Sequence, residues 1–205
     1  MKKNILIVGG SSSIGKKVTK NLSFKKFNIY TTSNNNNINT EKVKNFKINV
    51  KNLDEIKKLI KYFKKERIKF DYVVFLQGII YSSDLKGYTE EKILDILSVN
   101  TYSIIFFSKE IIKILKNNSL NVYISSISGL NGSYDPVYAA SKSALHGFTK
   151  SLSKWMAPNH RFICLCPGPV KGTKMFNNFS KKRKIYHSKN NPMNEPINSS
   201  DFAKI

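Results

Sequence analysis

The chain has 205 residues, of which 40% are hydrophobic and 12% aromatic, and its 35 lysines and arginines against 13 acidic residues give a net charge of +22. This apolar content supports a packed core and excludes disorder as the main state, and no apolar run approaches the roughly 20 residues of a membrane span. Because the lysines are spread along the whole chain, mostly on amphipathic helices, we expect no membrane and no nucleic acid as partners, with a basic nucleic-acid binder kept as an alternative.

The N-terminus, "MKKNILIVGG", predicts a buried strand. Its apolar run is shorter than the roughly 7–15 residues of a secretory signal, so we expect a cytoplasmic protein. The length predicts one domain over residues 1–205. The predicted strands are "NILIVGG", "NIYTTS", "FKINV", "FDYVVFLQG", "NVYISSIS" and "RFICLCPG", and the predicted helices cover residues 15–26, 52–68, 89–115 and 136–156, with "NNNNINTEK" as a turn.

This alternation of strands and helices predicts an α/β fold, in which right-handed crossovers build a parallel sheet with helices on both faces. The strands lack polar alternation, as expected when both faces of a sheet are covered. Ligands of such folds bind beyond the carboxyl ends of the strands. The residues that follow each strand are therefore the candidates for a functional site.

The first strand is followed by "VGGSSSIG", Val8 to Gly15, which opens a helix. Glycines let the backbone approach a phosphate, and the start of a helix offers free N–H groups and a positive dipole. The stretch therefore predicts a turn that binds a nucleotide phosphate. A tight turn with a structural role only is the alternative.

The end of the second strand, "YTTSNNNN", offers no carboxylate to bind the 2′-hydroxyl of an adenosine ribose. Thr32, Ser33 and Asn34 could instead bind a 2′-phosphate by donating hydrogen bonds to it. Lys16 and Lys17 could add positive charge. This end of the chain therefore favours NADP(H) over NAD(H).

The fifth strand leads into "SSISGLNGSYDPVYAASK", where Asp135 is predicted to cap a helix whose first residue is Pro136. Tyr138 then lies in the first turn, and Lys142 lies one turn later on the same face. A nearby ammonium and the positive helix end both favour the phenolate, which predicts proton transfer by Tyr138 near neutral pH. An exposed Tyr–Lys pair on a helix surface is the alternative.

Taken in order, these motifs resemble the short-chain dehydrogenase/reductases over essentially the whole chain. "VGGSSSIG" resembles the cofactor loop T-G-x-x-x-G-x-G of that family, and "CPGPVKGTKM" resembles its P-G motif after strand six. The single residues that match are Gly9 and Gly15 in the loop, Asn100 in "LSVN", Ser126 in "ISSISG", Tyr138 and Lys142 in Y-x-x-x-K, and Thr173 near the nicotinamide end.

The resemblance implies a Rossmann-like, doubly wound parallel sheet and an NAD(P)(H)-dependent oxidoreductase that interconverts a carbonyl and a secondary alcohol. Tyr138 would be the general acid/base, Lys142 would lower the pKa of Tyr138 and hold the ribose, and Ser126 would orient the substrate oxygen. Asn100 would anchor a water relay, and Ser125 or Ser128 could replace Ser126. The family implies a small-molecule carbonyl or alcohol substrate, no metal, and a homo-oligomer, either a dimer or a tetramer.

By the same resemblance, the cofactor would contact residues in several of these loops. They are Gly9, Ser11, Ser12, Ser13, Ile14, Gly15, Ser33, Asn49, Val50, Gly78, Tyr138, Lys142, Pro167, Gly168, Val170 and Thr173.

The chain also departs from the family pattern. "VFLQG" stands where the family has N-N-A-G, so that only Gly78 matches, and Asn49 replaces an aspartate that meets the adenine. "NSSDFAKI" resembles the start of a helix that the family follows with a seventh strand, so we expect a sheet that ends at strand six and a partner chain or a reduced stability there. These departures keep open a catalytically impaired or regulatory relative as the alternative function.

The segment after strand six, residues 174–196, is predicted to shape the substrate pocket as a mobile lid. Its basic run, "KKRK" at residues 181–184, could attract an anionic substrate, and a solvated loop is the alternative. Cys164 and Cys166 are predicted to be two small strand residues on one face. The apolar stripe of the preceding helix, either core or interface, consists of Leu145, Phe148, Leu152 and Trp155.

Overall fold

The structure, a computed structural model, describes residues 1–34 and 42–205. Its strands are β1 (Lys3–Val8), β2 (Phe27–Ser33), β3 (Val43–Lys47), β4 (Phe70–Phe75), β5 (Leu115–Ile124) and β6 (His160–Leu165). They form one sheet in the order β3-β2-β1-β4-β5-β6, and every neighbouring pair is parallel. The prediction of a Rossmann-like doubly wound parallel sheet is confirmed. The strand order reverses between β1 and β4, where such sheets form a crevice.

Helices cover both faces of this sheet. They are α1 (Ser13–Asn21), α2 (Leu53–Lys65), α3 (Glu90–Leu97), α4 (Ser103–Ile111), α5 (Ile127–Asn131), α6 (Pro136–Trp155), α7 (Lys174–Asn177), α8 (Lys181–Lys189) and α9 (Ser199–Phe202). Within the described ranges, no helix combines the length and the apolar character that crossing a bilayer requires. The predicted turn "NNNNINTEK" falls mainly on residues 35–41, outside the described residues.

The long helix predicted over residues 89–115 is present from Glu90 to Ile114 but is not a uniform α-helix. After α3 the chain forms a π turn at Ser98–Tyr102, then α4 and a 3-10 turn at Ile112–Ile114, and β5 begins at Leu115. The buried positions keep a helical spacing through the π turn, at Ile96, Asn100, Ile104 and Phe107. Such turns are frequent at functional sites. This one carries Asn100, which is fully buried.

The bounds of several strands also differ from the prediction, and β1, β4 and β6 end two or three residues earlier than expected. β3 occupies residues 43–47 rather than 46–50, because it pairs with β2 from Ile29 opposite Val43 to Ser33 opposite Lys47. β5 ends at Ile124 rather than at residue 128, because Ser126 caps a helix there and accepts the backbone N–H of Ser128 at 3.1 Å. The serine-rich stretch is therefore a strand end followed by a helical turn.

The strands are buried on both faces, which explains their continuous apolar sequence. Along β1, Leu6 and Val8 face the larger core with α2, α4 and α6, whereas Ile5 and Ile7 face a smaller core beside α1. The predicted stripe of α6 divides in the same way. Leu145, Phe148 and Leu152 pack in or against the larger core, but Trp155 is 70% exposed.

The chain after β6 returns to the sheet and then docks on α1. The backbone N–H of Lys171 donates to the carbonyl of Ile197 at 2.8 Å, and the N–H of Ser199 donates back to the carbonyl of Lys171 at 2.9 Å. Lys17 Nζ on α1 donates to Ser199 Oγ at 2.6 Å. These contacts fix both ends of the segment between residues 171 and 199. Among the described residues, β6 pairs with β5 alone and forms an edge of the sheet.

Candidate active site

A cavity of about 320 Å³ opens at the carboxyl ends of the strands. Its walls come from the turn after β1, the end of β4, the β5–α5 junction, the first turns of α6 and the segment after β6. The cavity thus lies at the reversal of strand order, where ligands of such sheets bind.

The turn between β1 and α1 depends on two of its glycines. Gly9 has a φ of +85°, and a Cβ on it would lie 3.0 Å from the backbone nitrogen of Gln77. A Cβ on Gly15 would lie 2.6 Å from the carbonyl oxygen of Gly10, so α1 can pack this closely only with glycine there. Ser12 caps α1 and accepts the backbone N–H of Gly15 at 3.0 Å.

Asp135 anchors the start of α6 and thereby Tyr138. It is fully buried, and its Oδ1 accepts the backbone N–H of Tyr138 at 2.9 Å and the hydroxyl of Tyr88 at 2.6 Å. Its Oδ2 accepts the backbone N–H of Ser82 at 3.0 Å. The predicted cap with Pro136 in the first turn is therefore confirmed. The same carboxylate joins α6 to the segment after β4.

The three clustered serines all line the cavity, but their hydroxyls have different partners. Ser125 Oγ donates to the carbonyl of Lys142 at 2.7 Å and lies 2.8 Å from Nε2 of His146, so it faces the helix backbone. Ser126 Oγ accepts a backbone N–H from Ser128, and a hydrogen bond from Ser126 influences the pKa of Tyr138. Of the three, Ser126 is the serine associated with the Tyr138 phenol.

Behind Ser125, the structure brings together a cluster that the sequence does not reveal. His146 Nε2 lies 3.3 Å from Cys166 Sγ, and the ligand atoms of His146, Cys164 and Cys166 all lie within 4.8 Å of one another. The two cysteines are therefore more than small strand residues, because they pack polar sulfur against a histidine. Together with Ser125 the cluster joins β5, the end of β6 and α6 behind Lys142.

Lys142 is almost fully buried below the cavity. Its Nζ donates to the carbonyl of Ile124 at 2.8 Å, and a Cβ on Gly78 would lie 3.1 Å from Nζ. Burial lowers the pKa of Lys142 to about 8. The ammonium is therefore held close to the two strand ends with little solvent around it.

Asn100 positions the segment after β4 through its side-chain amide. Oδ1 accepts the backbone N–H of Ile79 at 2.8 Å, and Nδ2 donates to the carbonyl of Ile79 at 2.9 Å and to Ser141 Oγ at 3.0 Å. Both ends of the amide are thus engaged by the protein. The π turn presents Asn100 to this segment, which could not be foreseen from a continuous helical pattern.

The electrostatics of Tyr138 differ from the expectation of a lowered pKa. Burial is the main cause and raises the pKa of Tyr138, while a hydrogen bond from Ser126 and the positive charge of Arg183 oppose the rise. The predicted lowering fails because the side chain is desolvated, which favours the neutral phenol. Without further ligands, the site therefore holds a protonated tyrosine.

Several residues expected near the nucleotide are engaged elsewhere. Thr32 Oγ1 accepts the backbone N–H of Gly9 at 3.2 Å, and Ser33 Oγ accepts Asn45 Nδ2 at 3.0 Å. Asn49 Oδ1 caps its own turn by accepting the N–H of Lys51 at 3.0 Å. Lys17 is held by α9, as described above, so of the two lysines expected to add charge near a 2′-phosphate, Lys16 is the exposed one.

The sequence-predicted residues divide into two groups. Those that line the cavity are Ser12, Ser13, Ile14, Gly78, Ser126, Tyr138, Lys142, Pro167, Gly168, Val170 and Thr173. Those outside the lining are Gly9, Ser11, Gly15, Ser33, Asn49, Val50 and Asn100.

Three other lining residues, Lys174, Met175 and Phe176, belong to the segment 174–196 that is predicted to shape the substrate pocket. Sequence reasoning missed Leu76, Gln77, Ile124, Ile127 and Pro169. All five adjoin predicted motifs, so their positions at or shortly after strand ends were the available signal.

The segment of α7 and α8 covers the cavity with an aromatic cluster. Phe176 lines the cavity and lies 5.8 Å from Phe179, ring centre to ring centre. The guanidinium of Arg183 stacks 3.9 Å from the centre of the Phe179 ring. Of the predicted basic run, Arg183 is thus the member whose charge acts on Tyr138.

A dinucleotide, the group that the family resemblance implies, fits these residues. The glycine turn leaves space that a Cβ would fill, and the first turn of α1 directs free N–H groups to the cavity at Ser13 and Ile14. The buried ammonium of Lys142 and the neighbouring Gly78 lie on the opposite wall. A chain of phosphate and ribose groups could therefore run from the turn to Lys142.

Comparisons with known proteins agree with this geometry. A sequence profile described as short chain dehydrogenase matches residues 3–184. The chain is 27% identical over 164 residues to a 3-ketodihydrosphingosine reductase of Bacteroides thetaiotaomicron, in an alignment that covers 78% of this chain and 61% of that protein. It therefore spans less than two thirds of that reductase.

A second relative is aligned over more of its length. The 3-oxoacyl-[acyl-carrier-protein] reductase FabG of Buchnera aphidicola subsp. Schizaphis graminum is 28% identical over 197 residues, which are 90% of this chain and 81% of that one. Among solved structures, a short chain dehydrogenase family protein from Francisella tularensis superposes with a TM-score of 0.90 at 24% identity, over 100% of this chain and 89% of that one. At that identity the superposition shows a common fold.

Proposed function

The chain belongs to the short-chain dehydrogenase family, and on that premise we propose that it is an oxidoreductase that interconverts a ketone and a secondary alcohol with NADP(H). One observation carries the proposal: Ser126, Tyr138 and Lys142 line the same cavity as the turn at Ser12–Ile14. Each of these side chains has a partner or an environment that suits the role the family resemblance implies for it.

In the direction of reduction, Tyr138 is the proton donor. Because burial raises the pKa of its phenol, Tyr138 is protonated at neutral pH and can release this proton to a carbonyl oxygen as charge develops there. Ser126 donates a second hydrogen bond to the same oxygen, since its hydroxyl lies within hydrogen-bond reach of the Tyr138 phenol and its Oγ is held in place by the N–H of Ser128. A bound nicotinamide supplies the hydride or accepts it.

Lys142 and Asn100 support this pair. The Lys142 ammonium, desolvated beside Gly78, stabilises the phenolate that remains after proton release and binds ribose hydroxyls. Asn100 is a positioning residue, because both ends of its amide hold Ile79 and Ser141. A water relay anchored at Asn100 remains a prediction from the family resemblance.

The choice of NADP(H) rests on the end of β2. Neither Ser33 nor Asn34, the last described residues at that end, carries a carboxylate, and Asn34 is exposed, as is Lys16 on α1. An NAD-dependent protein would use an acidic residue to bind the free 2′-hydroxyl. A cytoplasmic location and a homo-oligomer remain predictions from the sequence.

The substrate class is proposed to be a ketone carried on a longer molecule. The two relatives described above are named for 3-keto and 3-oxoacyl substrates, and the lining of apolar side chains at Ile127, Met175 and Phe176 suits an alkyl chain. Residues 174–196 would act as the substrate segment.

The proposal is tested by calorimetric titration with NADPH and NADH, followed by turnover on ketones that include 3-oxoacyl thioesters and sugar nucleotides. We expect tighter binding of NADPH, turnover of at least one ketone, and loss of turnover by about 10²–10⁴-fold in Tyr138→Phe with unchanged NADPH affinity. Absence of binding to either nucleotide contradicts the proposal. Binding without any turnover supports the regulatory relative instead.

A further inference from the structure

Gln77 has a buried side chain whose amide has no hydrogen-bond partner in the protein. The residue follows β4 and is 8% exposed. Both Oε1 and Nε2 lack a partner among residues 1–34 and 42–205, and no other buried side chain in these ranges has an unpartnered nitrogen or oxygen. Buried amides are normally paired, because an unpaired one loses its hydration without compensation.

The position of Gln77 indicates what the amide faces. Its backbone lies against Gly9 of the glycine turn, where a Cβ would be 3.0 Å from the Gln77 nitrogen. Gln77 lines the cavity, as do Ser13, Gly78 and Lys142, and a Cβ on the adjacent Gly78 would lie 3.1 Å from Lys142 Nζ. Gln77 therefore lies between the proposed phosphate turn and the proposed ribose-binding lysine.

The chemistry of the amide narrows the ligand group. A carboxamide offers two N–H donors and one acceptor oxygen, so a partner that satisfies both ends must accept and donate hydrogen bonds. A diphosphate only accepts and would leave Oε1 unpaired. The hydroxyls of a ribose do both.

We infer that Gln77 binds a ribose hydroxyl of the dinucleotide through its side-chain amide, an inference that rests on the proposed function. The family pattern N-N-A-G has alanine at this position, which has no polar side chain. Gln77 departs from the family pattern, and we assign to it a contact with the cofactor. This contact would give hydrogen-bond partners to its buried amide.

The test uses Gln77→Met, which keeps the length of the side chain and removes its hydrogen bonds. Lys61→Met, at an exposed position of α2 outside the cavity lining, is the control. We measure dissociation constants for NADPH, for 2′,5′-ADP and for nicotinamide mononucleotide, together with the melting temperature without nucleotide.

For Gln77→Met we expect the dissociation constant for NADPH to rise about tenfold, with no change in Lys61→Met. The melting temperature without nucleotide should rise by about 2–4 °C, because a buried unpaired amide has been removed. A glutamine with a purely structural role would lower the melting temperature instead. A weaker 2′,5′-ADP complex assigns the contact to the adenosine ribose, and a weaker nicotinamide mononucleotide complex assigns it to the other ribose.

Unchanged NADPH affinity in Gln77→Met, with normal binding by the wild-type protein, overturns the inference and leaves the proposed function standing. A melting temperature that falls in parallel with affinity also overturns it. If the wild-type protein binds neither NADPH nor NADH, the proposed function fails first.

Discussion

The carboxylate of Asp135 fixes Tyr138 at the start of α6, because its Oδ1 accepts the backbone N–H of Tyr138 at 2.9 Å. The same oxygen accepts the hydroxyl of Tyr88 at 2.6 Å, and Oδ2 accepts the N–H of Ser82. One buried acidic group thus satisfies donors from three parts of the chain. The phenol proposed to transfer a proton therefore depends on a residue that does not line the cavity.

Replacing Asp135 with alanine should lower the free energy of unfolding by about 2–4 kcal/mol, because a helix cap is lost and buried donors are left unpaired. Asp135→Asn should cost less, since its amide oxygen can still cap α6. Denaturation in urea measures both values. Asp84 is exposed and caps the 3-10 turn Leu85–Gly87, so Asp84→Asn is the control and its free energy of unfolding should stay within about 0.5 kcal/mol of the wild type. Equal stability of all variants would contradict the anchoring role.

Ser126 and Ser125 should have separable effects. Ser126→Ala should lower kcat by about 10²-fold, because one hydrogen bond to the developing oxyanion is lost, and should lower the unfolding free energy by about 1 kcal/mol, because Ser126 also caps α5. Ser125→Ala should keep kcat near the wild-type value and lower the unfolding free energy by about 1–2 kcal/mol, since Ser125 Oγ bonds the Lys142 carbonyl and contacts His146. Steady-state kinetics and thermal denaturation of both variants check this. If kcat fell strongly in Ser125→Ala and not in Ser126→Ala, Ser125 and not Ser126 would be the serine that binds the substrate oxygen.

The charge of Arg183 should set the pH range of alcohol oxidation. Oxidation needs the phenolate of Tyr138, and Arg183 opposes the rise in the pKa of Tyr138 that burial causes. Arg183→Met should therefore shift the pH profile of kcat for oxidation to higher pH, while reduction at pH 7 keeps its protonated donor. Lys182→Met, an exposed neighbour on α8, is the control. If the pH profile of kcat for oxidation were the same in Arg183→Met and Lys182→Met, Arg183 would have no role at Tyr138.

Lys142 should destabilise the nucleotide-free protein at neutral pH. Burial lowers the pKa of Lys142 from 10.5 to about 8, so below pH 8 the folded protein holds an ammonium that is better solvated when unfolded. Between pH 8 and 10.5 the unfolded state binds more protons than the folded state. The free energy of unfolding therefore rises with pH over this range, and the destabilisation by the buried ammonium disappears. Lys142→Met should thus be more stable than the wild type at pH 7, by up to about 3 kcal/mol.

Urea denaturation of the wild type and of Lys142→Met at pH 7 and 9.5 measures this difference. The advantage of the variant should shrink at the higher pH, and its turnover should be lost. Lys150→Met, an exposed lysine on the same helix, should show neither effect. An advantage that grows with pH would contradict the sign of the pKa shift.

Much of the fold follows from the sequence, because continuous apolar runs and helical spacing reflect burial on two faces of a parallel sheet. The cap at Asp135 and the pairing of Tyr138 with Lys142 on one helix face also follow from local rules. The π turn at Ser98–Tyr102 does not, because its apolar spacing matches that of an uninterrupted helix.

Other features depend on contacts between distant residues. The burial that raises the pKa of Tyr138 comes from elements far away in sequence, so a local argument from Lys142 and the helix dipole gives the wrong sign. The contact of Lys17 with Ser199 spans 182 residues and removes that lysine from the nucleotide end. The unpaired amide of Gln77 is visible only when the whole cavity is formed.

The parallel bridge between Lys171 and Asn198 has a consequence for how such a protein can diversify. It joins the two ends of the segment formed by residues 174–196, so that this segment leaves and rejoins the rest of the protein at neighbouring points. Residues 174–196 can therefore be exchanged as a cassette, with a different length or composition, while the strands and α6 keep their arrangement. Under the proposed function, such an exchange would change the substrate preference while Ser126, Tyr138 and Lys142 keep their positions, and the loss of Arg183 would move the pH range of oxidation.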